Sequence, residues 1–181
     1  MTGDFSGRTA IVTGGTRGIG KCIVRQLSQQ GCDVIYTGTK KSSDPDIPGA
    51  RFEQMDLSDE ASISRFVQEI IAPHPGIDIL VNNAGINKIE PIDEISDEDW
   101  EKILTVNLTG AMRMTRAVSK NMKKKQHGGR ILNISSIFGV VSKSRRNAYS
   151  ASKTGLIGLT RASALDLAPY NILVNNRKSV V

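Results

Sequence analysis

Short apolar runs alternate along the chain with longer stretches whose apolar residues recur every three or four positions, the signature of strands alternating with helices. Thr9–Val12 is an apolar run that ends in a glycine-rich turn, and Ile19, Ile23 and Leu27 then recur at helical spacing until Gly31 stops the helix. Residues 34–37 predict a second strand, and the loop from Gly38 to Gly49, rich in Ser, Asp and Pro, interrupts any helix that would follow. Residues 52–55 predict a third strand. Ser58, backed by Asp59 and Glu60, starts a helix that carries Ile63, Phe66, Val67, Ile70 and Ile71 and ends at Pro73 and Pro75. Residues 77–81 form a fourth apolar run, leading into Asn82-Asn83-Ala84-Gly85. Ser96 with Asp97, Glu98 and Asp99 opens a long helix reaching about Met122, and Lys123, Lys124 and Lys125 fall where cations complement a helix C-terminus. Gly128 and Gly129 close the next turn, residues 131–134 predict a fifth strand with Ser135 and Ser136 at its exit, Asn147–Leu167 a helix, and residues 172–174 a sixth strand.

This rhythm predicts an α/β fold: a doubly wound parallel sheet with helices on both faces, in one domain over residues 1–181. Ligands of such sheets bind beyond the C-terminal ends of the strands. The glycine turn, the Asn-Asn-Ala-Gly turn and Ser136 all follow strand ends, so they are expected to line one edge.

Composition narrows the partners. The net charge of +6 favours anionic ligands, such as a phosphorylated cofactor or an acidic carrier, but no nucleic-acid motif accompanies it and aromatics are too few for a base-stacking platform. Cys22 and Cys32 have neither metal-ligand nor redox-pair spacing, so both are expected as free thiols and no metal site is expected. Without an apolar signal segment in residues 1–7 or an apolar run of the roughly 18 residues a membrane span needs, the simplest expected location is cytoplasmic.

The candidate chemistry centres on Tyr149-Ser150-Ala151-Ser152-Lys153. Residues four apart on a helix share a face, so the Tyr149 phenol and the Lys153 ammonium can serve one bound molecule, and a neighbouring cation lowers the pKa of a phenol. Such a pair taken alone is more often a chance match; its surroundings decide.

At the cofactor end, a glycine turn between strand and helix lets backbone N–H groups approach a pyrophosphate. Gly14, Gly18 and Gly20 have that context, although their spacing differs from the general dinucleotide fingerprint. NAD-dependent enzymes usually place Asp or Glu at the end of the second strand to meet the ribose hydroxyls. Here that place reads Thr37-Gly38-Thr39-Lys40. Asp33 lies at the other end of the strand, whereas Arg17 and Lys40 can neutralise a 2′-phosphate, so NADP is expected over NAD. The alternative leaves both as solvated cations, with Asp44 or Asp46 folding back to the ribose. The candidate cofactor-binding positions are Gly14, Thr16, Arg17, Gly18, Ile19, Gly20, Thr39, Lys40, Asp56, Leu57, Asn83, Ala84 and Gly85, with Tyr149 and Lys153.

Thr13-Gly14-x-x-x-Gly18-x-Gly20, Asn82-Asn83-Ala84-Gly85, Asn107, Ser136 and Tyr149-x-x-x-Lys153, in this order and spacing, resemble the short-chain dehydrogenase/reductase family, nearest to its 3-oxoacyl-[acyl-carrier-protein] reductases. The resemblance runs from about Thr9 to Asn175 and implies a Rossmann-like fold, NADP(H), and reduction of a ketone to a secondary alcohol, with a 3-oxoacyl thioester as the favoured substrate and a small ketone, sugar or polyol as the alternative. It implies that Tyr149 is the acid/base, that Ser136 hydrogen-bonds the substrate oxygen, that Lys153 holds the nicotinamide ribose and lowers the Tyr149 pKa, and that Asn107 holds a water in a proton relay. Ser135 is the rival for Ser136, and the thirteen-residue interval to Tyr149 suits Ser136. It also implies a homo-oligomer, a dimer or tetramer built on the long fourth and fifth helices.

For an acidic carrier protein, Lys123, Lys124, Lys125, Arg145 and Arg146 are a candidate docking surface, or else ordinary solvated charge; His127 and Tyr170 stand near where carrier-dependent relatives place basic residues. Relatives continue past the sixth strand into a Pro-Gly turn, a substrate-covering segment and a seventh strand, whereas residues 176–181 here depart from that pattern. The expectation is a fold lacking the usual lid and last strand, with a non-catalytic cofactor-binding module as the alternative to a working reductase.

Overall fold

The computed structural model describes residues 5–40 and 47–179, so the Asp44 and Asp46 alternative lies outside the described residues. Six parallel strands, β1 Thr9–Val12, β2 Asp33–Gly38, β3 Ala50–Gln54, β4 Ile79–Asn82, β5 Gly129–Ser136 and β6 Ile172–Ser179, form one sheet in the order β3-β2-β1-β4-β5-β6. The chain starts in the middle, winds outward through β2 and β3, then returns to pair β4 with the free side of β1. Helices α1 Gly18–Gln29, α2 Glu60–Phe66, α3 Asp97–Leu104, α4 Gly110–Lys125 and α5 Asn147–Leu167 make the crossovers.

Alternation within the strands divides the core in two. Ile11, Ile35, Leu80 and Ile131 pack on one face with Met114, Val118 and Met122, which recur every four residues along α4. Their neighbours Ala10, Val12, Val34, Tyr36 and Val81 pack on the other face with Val24 of α1. Because successive side chains of a strand point to opposite faces, near-continuous apolar runs are what a sheet covered on both sides requires. Truncating any of the three α4 side chains to Ala would cost about 2–5 kcal/mol or slightly less, depending on how far the cavity collapses.

The element types follow the sequence pattern, and the edges differ for physical reasons. The third strand begins at Ala50, because it is set by register with β2 from Val34↔Ala50 onward, and ends at Gln54, with the N–H of the buried Met55 still donating to the Gly38 carbonyl at 3.0 Å. The cap of α2 is Asp59, whose carboxylate accepts from the Ala61 N–H, while Ser58 is held by Asp56 Oδ1 through both its N–H and its hydroxyl. The long helix is two α segments joined by a π-helical turn, Thr105–Thr109, and ends at Lys125 with Gln126 left-handed at φ 58°. A similar π turn, Val67–Ile71, follows α2. Strands β5 and β6 run far beyond their apolar cores, pairing residue for residue up to Ser136↔Ser179. Backbone ladder bonds are indifferent to side-chain polarity, so Asn133, Ser135 and Asn176 sit in strand although no hydropathy pattern marks them.

At the edge where the strands begin, Asp78 is 5% exposed and accepts hydrogen bonds from the Thr9 N–H at 2.9 Å, Arg8 Nη1 at 2.9 Å and Lys125 Nζ at 2.8 Å. One carboxylate thereby ties the starts of β1 and β4 to the end of α4. Lys123 lies over the Tyr170 ring at 3.8 Å, so two of the three consecutive lysines have specific neighbours. Lys123, Lys124 and Lys125 precede β5 and Arg145 and Arg146 follow it. At about 3.3 Å per residue, the eight residues of β5 separate the two groups by roughly 25 Å, and the five cations do not make one surface. Among the described residues no helix is long and apolar enough to cross a membrane.

Burial raises the Asp78 pKa, but the bonds from Lys125, the Thr9 N–H and Arg8 outweigh it and hold the carboxyl below its ordinary value. A depressed carboxyl contributes stability above its unfolded pKa of about 3.9, and that contribution is lost as pH falls through the folded value. Asp78→Ala is therefore expected to lower stability by about 1–3 kcal/mol at pH 7, with the gap to wild type closing below about pH 4. Urea unfolding midpoints at pH 7 and pH 3 check this; a gap of equal width at both would refute it.

Candidate active site

The site begins where the winding reverses, between the ends of β1 and β4. Thr13 Oγ1 accepts from the N–H groups of Asn83 at 3.0 Å and Ala84 at 3.1 Å, and Asn83 Nδ2 donates back to the carbonyls of Thr13 and Gly14, both at 3.0 Å. The glycine turn and the Asn-Asn-Ala-Gly turn are latched into one unit. Gly14 is left-handed at φ 66° and approaches Ala84 so closely that an added Cβ would lie 2.8 Å from its Cα, which excludes any other residue there. Gly18 opens α1 at φ 56° and faces open space.

Helix α1 has no acid in its first turn, and Arg17 at its N-cap makes no side-chain cap bond. Its leading N–H groups and the positive end of its dipole thus face the cleft without a competing side chain. The cleft, about 690 Å³, is lined by Gly14, Thr16, Arg17, Gly18, Ile19, Gly20, Thr39, Asp56, Leu57, Asn83, Ala84 and Gly85. Lys40, exposed beyond the end of β2, is the one sequence-predicted cofactor position of this region that does not line it. Asp56 is the one acid on the lining, against the cations Arg17 and Lys102 on the same lining. Lys102, a residue of α3, carries no local sequence signal, because only the packing of that helix brings it there. A glycine cradle, an uncapped helix N-terminus and a basic lining fit a dinucleotide.

A second cleft of about 350 Å³ continues from the first, sharing Ile19, Asn83, Gly85 and Ile86, and holds Ser136, Tyr149 and Lys153. Helix α5 can lie close to β5 because Ala148, Ser152, Leu156 and Thr160, at four-residue spacing, form its buried face. A polar ladder fixes its position: Asn82 Nδ2 donates to Asn133 Oδ1 at 2.8 Å, and Asn133 Nδ2 donates to Thr160 Oγ1 at 2.9 Å. Lys153 is 3% exposed, donates from Nζ to the Ile134 carbonyl at 2.8 Å, and lies 5.7 Å from the Tyr149 ring centre. Burial pulls its pKa down from 10.5 to about 8.

The two serines differ in how they are used. Ser135 Oγ donates to the Lys153 carbonyl at 3.2 Å, whereas Ser136 Oγ accepts from the Phe138 N–H at 3.2 Å, an arrangement in which its own proton can be directed at a ligand. Asn107, 1% exposed, lies in the π turn; its Oδ1 accepts from the Ile86 N–H at 2.8 Å and its Nδ2 donates to the Ile86 carbonyl at 2.9 Å and to Ser152 Oγ at 3.0 Å. Its amide thereby braces the loop after β4 against α5. Ser152 completes the brace by donating to the Tyr149 carbonyl at 2.7 Å. Sequence reasoning missed Ser152 and Ile86, which have no pattern of their own.

A model of the family described as short chain dehydrogenase matches residues 8–178. The chain is 43% identical over 180 residues to the 3-oxoacyl-[acyl-carrier-protein] reductase FabG of Aquifex aeolicus, covering 94% of this chain and 72% of that protein. Among solved structures it resembles 4-hydroxyisoleucine dehydrogenase complexed with NADH, with TM-score 0.88, 30% identity, and coverage of 94% of this chain and 74% of that one. It also resembles a protein from Beutenbergia cavernae assigned provisionally as an NAD(P)-dependent gluconate 5-dehydrogenase, with NADP bound at low occupancy, at TM-score 0.87 and 32% identity, covering 96% and 72%.

A lysine whose folded pKa is depressed binds fewer protons than the unfolded chain between the two values, so stability rises with pH from about 8 to about 10.5. Relative to Lys153→Met, wild type is expected to gain roughly 2 kcal/mol between pH 7.5 and pH 10. Parallel urea titrations of the two proteins measure it; a constant difference across that range would show that the ammonium is not desolvated.

Proposed function

This chain belongs to the short-chain dehydrogenase family, and on that premise we propose that it reduces a ketone to a secondary alcohol with NADPH, the substrate being a 3-oxoacyl thioester. The observation that carries this reading is that Ser136, Tyr149 and Lys153 line one cleft that opens directly onto the glycine-turn cleft. When bound, NADPH supplies a hydride to the carbonyl carbon. The chain supplies the rest. As negative charge grows on the ketone oxygen, the Ser136 hydroxyl stabilises it and Tyr149 donates the proton, a contribution of typically 10²- to 10⁴-fold. Lys153 would hold the nicotinamide ribose, its ammonium lying 5.7 Å from the Tyr149 ring centre. Asn107 acts through the brace to Ile86 and Ser152, keeping the loop after β4 and the first turn of α5 in register.

Preference for NADP over NAD is supported by Arg17 on the lining and by the absence of Asp or Glu at residues 37–40, where β2 ends. The thioester is supported by the likeness to the 3-oxoacyl-[acyl-carrier-protein] reductase of Aquifex aeolicus. A homo-oligomer is part of the same reading, supported by the exposure of Leu165 on α5, an apolar side chain that an interface would cover.

Two outcomes are expected. Tyr149→Phe should lower kcat for NADPH-dependent reduction of an acetoacetyl thioester at least 100-fold, with far-ultraviolet circular dichroism and the urea midpoint unchanged; retained turnover would overturn the reading. The NADPH:NADH ratio of kcat/KM should exceed one in wild type and fall roughly 10- to 100-fold in Arg17→Ala, with a smaller fall in Lys40→Ala; a wild type without preference would refute the assignment.

A further inference from the structure

A further cavity lies away from both clefts, in the layer of helices outside the sheet. It is a groove of about 470 Å³ between α2 with its π turn and α4, and no residue on its lining belongs to either cleft of the site. Both helices run in the same direction, because each leaves the end of one parallel strand and leads to the start of another. The groove is fastened at its two ends. Where the helices begin, Arg113 Nη2 donates to Glu60 Oε2 at 2.9 Å. Near their ends, the buried Asn121 accepts from the Ile77 N–H at 2.9 Å and donates to the carbonyls of Ile71 at 3.0 Å and His74 at 2.9 Å. Between these ties the one apolar side chain that α4 contributes is the methyl of Ala117, so the helices are held side by side with the space between them unfilled.

The two walls differ in charge. Ile63, Val67 and Ile71, at four-residue spacing, make an apolar floor with Ala117, and Ser64 and Gln68 complete the α2 wall without charge. On the α4 wall Arg116, Lys120 and Lys124, also four residues apart, stand exposed in a row, about 6 Å from one to the next and roughly 12 Å in all along the helix axis. Among the described residues no carboxylate pairs with any of them, and the one acid on the lining, Glu60, is engaged by Arg113. Long cationic side chains lay their methylene stems along apolar surface and keep their charged ends in water. The row therefore extends the apolar wall below and sets positive charge along the lip.

A cavity of this size, apolar at the floor and polar at one lip, has the form of a small-molecule site. A bare inorganic anion would leave the floor in water, and an uncharged chain would leave the row unpaired. A molecule that answers both carries an unbranched alkyl chain and a carboxylate. We propose that the groove binds a free fatty carboxylate, its chain along Ile63, Val67 and Ile71 and its head on the row from Arg116 to Lys124. A row, where a single cation would fix one depth, lets the head settle at different depths for chains of different length.

The probe is sodium decanoate below its micelle concentration, titrated by isothermal calorimetry. Affinity should rise from hexanoate through octanoate to decanoate, roughly twofold or more per methylene. The double variant Arg116→Glu/Lys120→Glu should weaken decanoate binding roughly 10-fold or more, and Ala117→Phe, which fills the middle of the groove, should abolish it. Urea midpoints and far-ultraviolet circular dichroism check that both variants fold, and the double variant, confined to exposed side chains, keeps the test open if Ala117→Phe does not. Wild-type affinity in the double variant denies the head its partners and overturns the site. Wild-type affinity in a folded Ala117→Phe leaves only unspecific attraction to positive charge and overturns it as well. Capture on anionic phospholipid vesicles without binding of monomeric decanoate makes the row a membrane contact and removes the groove as a ligand site. None of these outcomes bears on the reductase reading, whose residues line the other two clefts.

Discussion

The site depends on one constraint: the two turns at the reversal of the winding are latched to each other. Four hydrogen bonds join Thr13 and Gly14 to Asn83 and Ala84 between the ends of β1 and β4, so neither turn moves without the other. Parallel strands that diverge at this point leave a crevice in any doubly wound sheet, but the crevice has a fixed width only if its lips are joined. Joined, they set the distance from the start of α1, where a pyrophosphate would lie, to Gly85, which stands beside Lys153 and Asn107.

From that latch the polar framework extends through the protein to α5. Asn82, the neighbour of Asn83, binds Asn133; Asn133 binds Thr160; Asn107 joins the loop after β4 to Ser152. Each is a buried amide or hydroxyl that would be costly without a partner, so the framework specifies one position of α5 against β5 rather than merely permitting it. The price is concentrated at Lys153, a buried ammonium with a carbonyl for company and no carboxylate. The rest of the fold, two apolar layers around a sheet, offsets that cost and lets a destabilising cation persist where it can act.

Much of this was legible in the chain. The bounds of β1 follow from apolar pattern, since a buried parallel strand must be apolar throughout, and the helix expected over Asn147–Leu167 is α5. The motif residues were legible too, because glycine at a left-handed turn and a tyrosine–lysine pair at helical spacing each answer a local requirement. What pattern could not show were features whose cause lies elsewhere in space. The polar ends of β5 and β6 are strand because each has the other to bond; Asn107, in the π turn, braces the loop after β4; Lys123 and Lys125 at the end of α4 are committed to Tyr170 and Asp78, residues far from them in sequence.

Sequence by itself determined the order of strands and helices, the positions of the turns, and the chemical kinds of residue at each strand exit, because these depend on interactions within a few residues or on the two-sided burial of each element. Tertiary structure alone decided the remainder. It put Arg17 on the cofactor cleft and left Lys40 off it, spent the Asn107 side chain as a brace, lowered the Lys153 pKa, and set Arg146 over Phe138 beside Tyr149. Each of these depends on distances and on exclusion of water between segments remote in the chain, and no reading of neighbours along the sequence contains them.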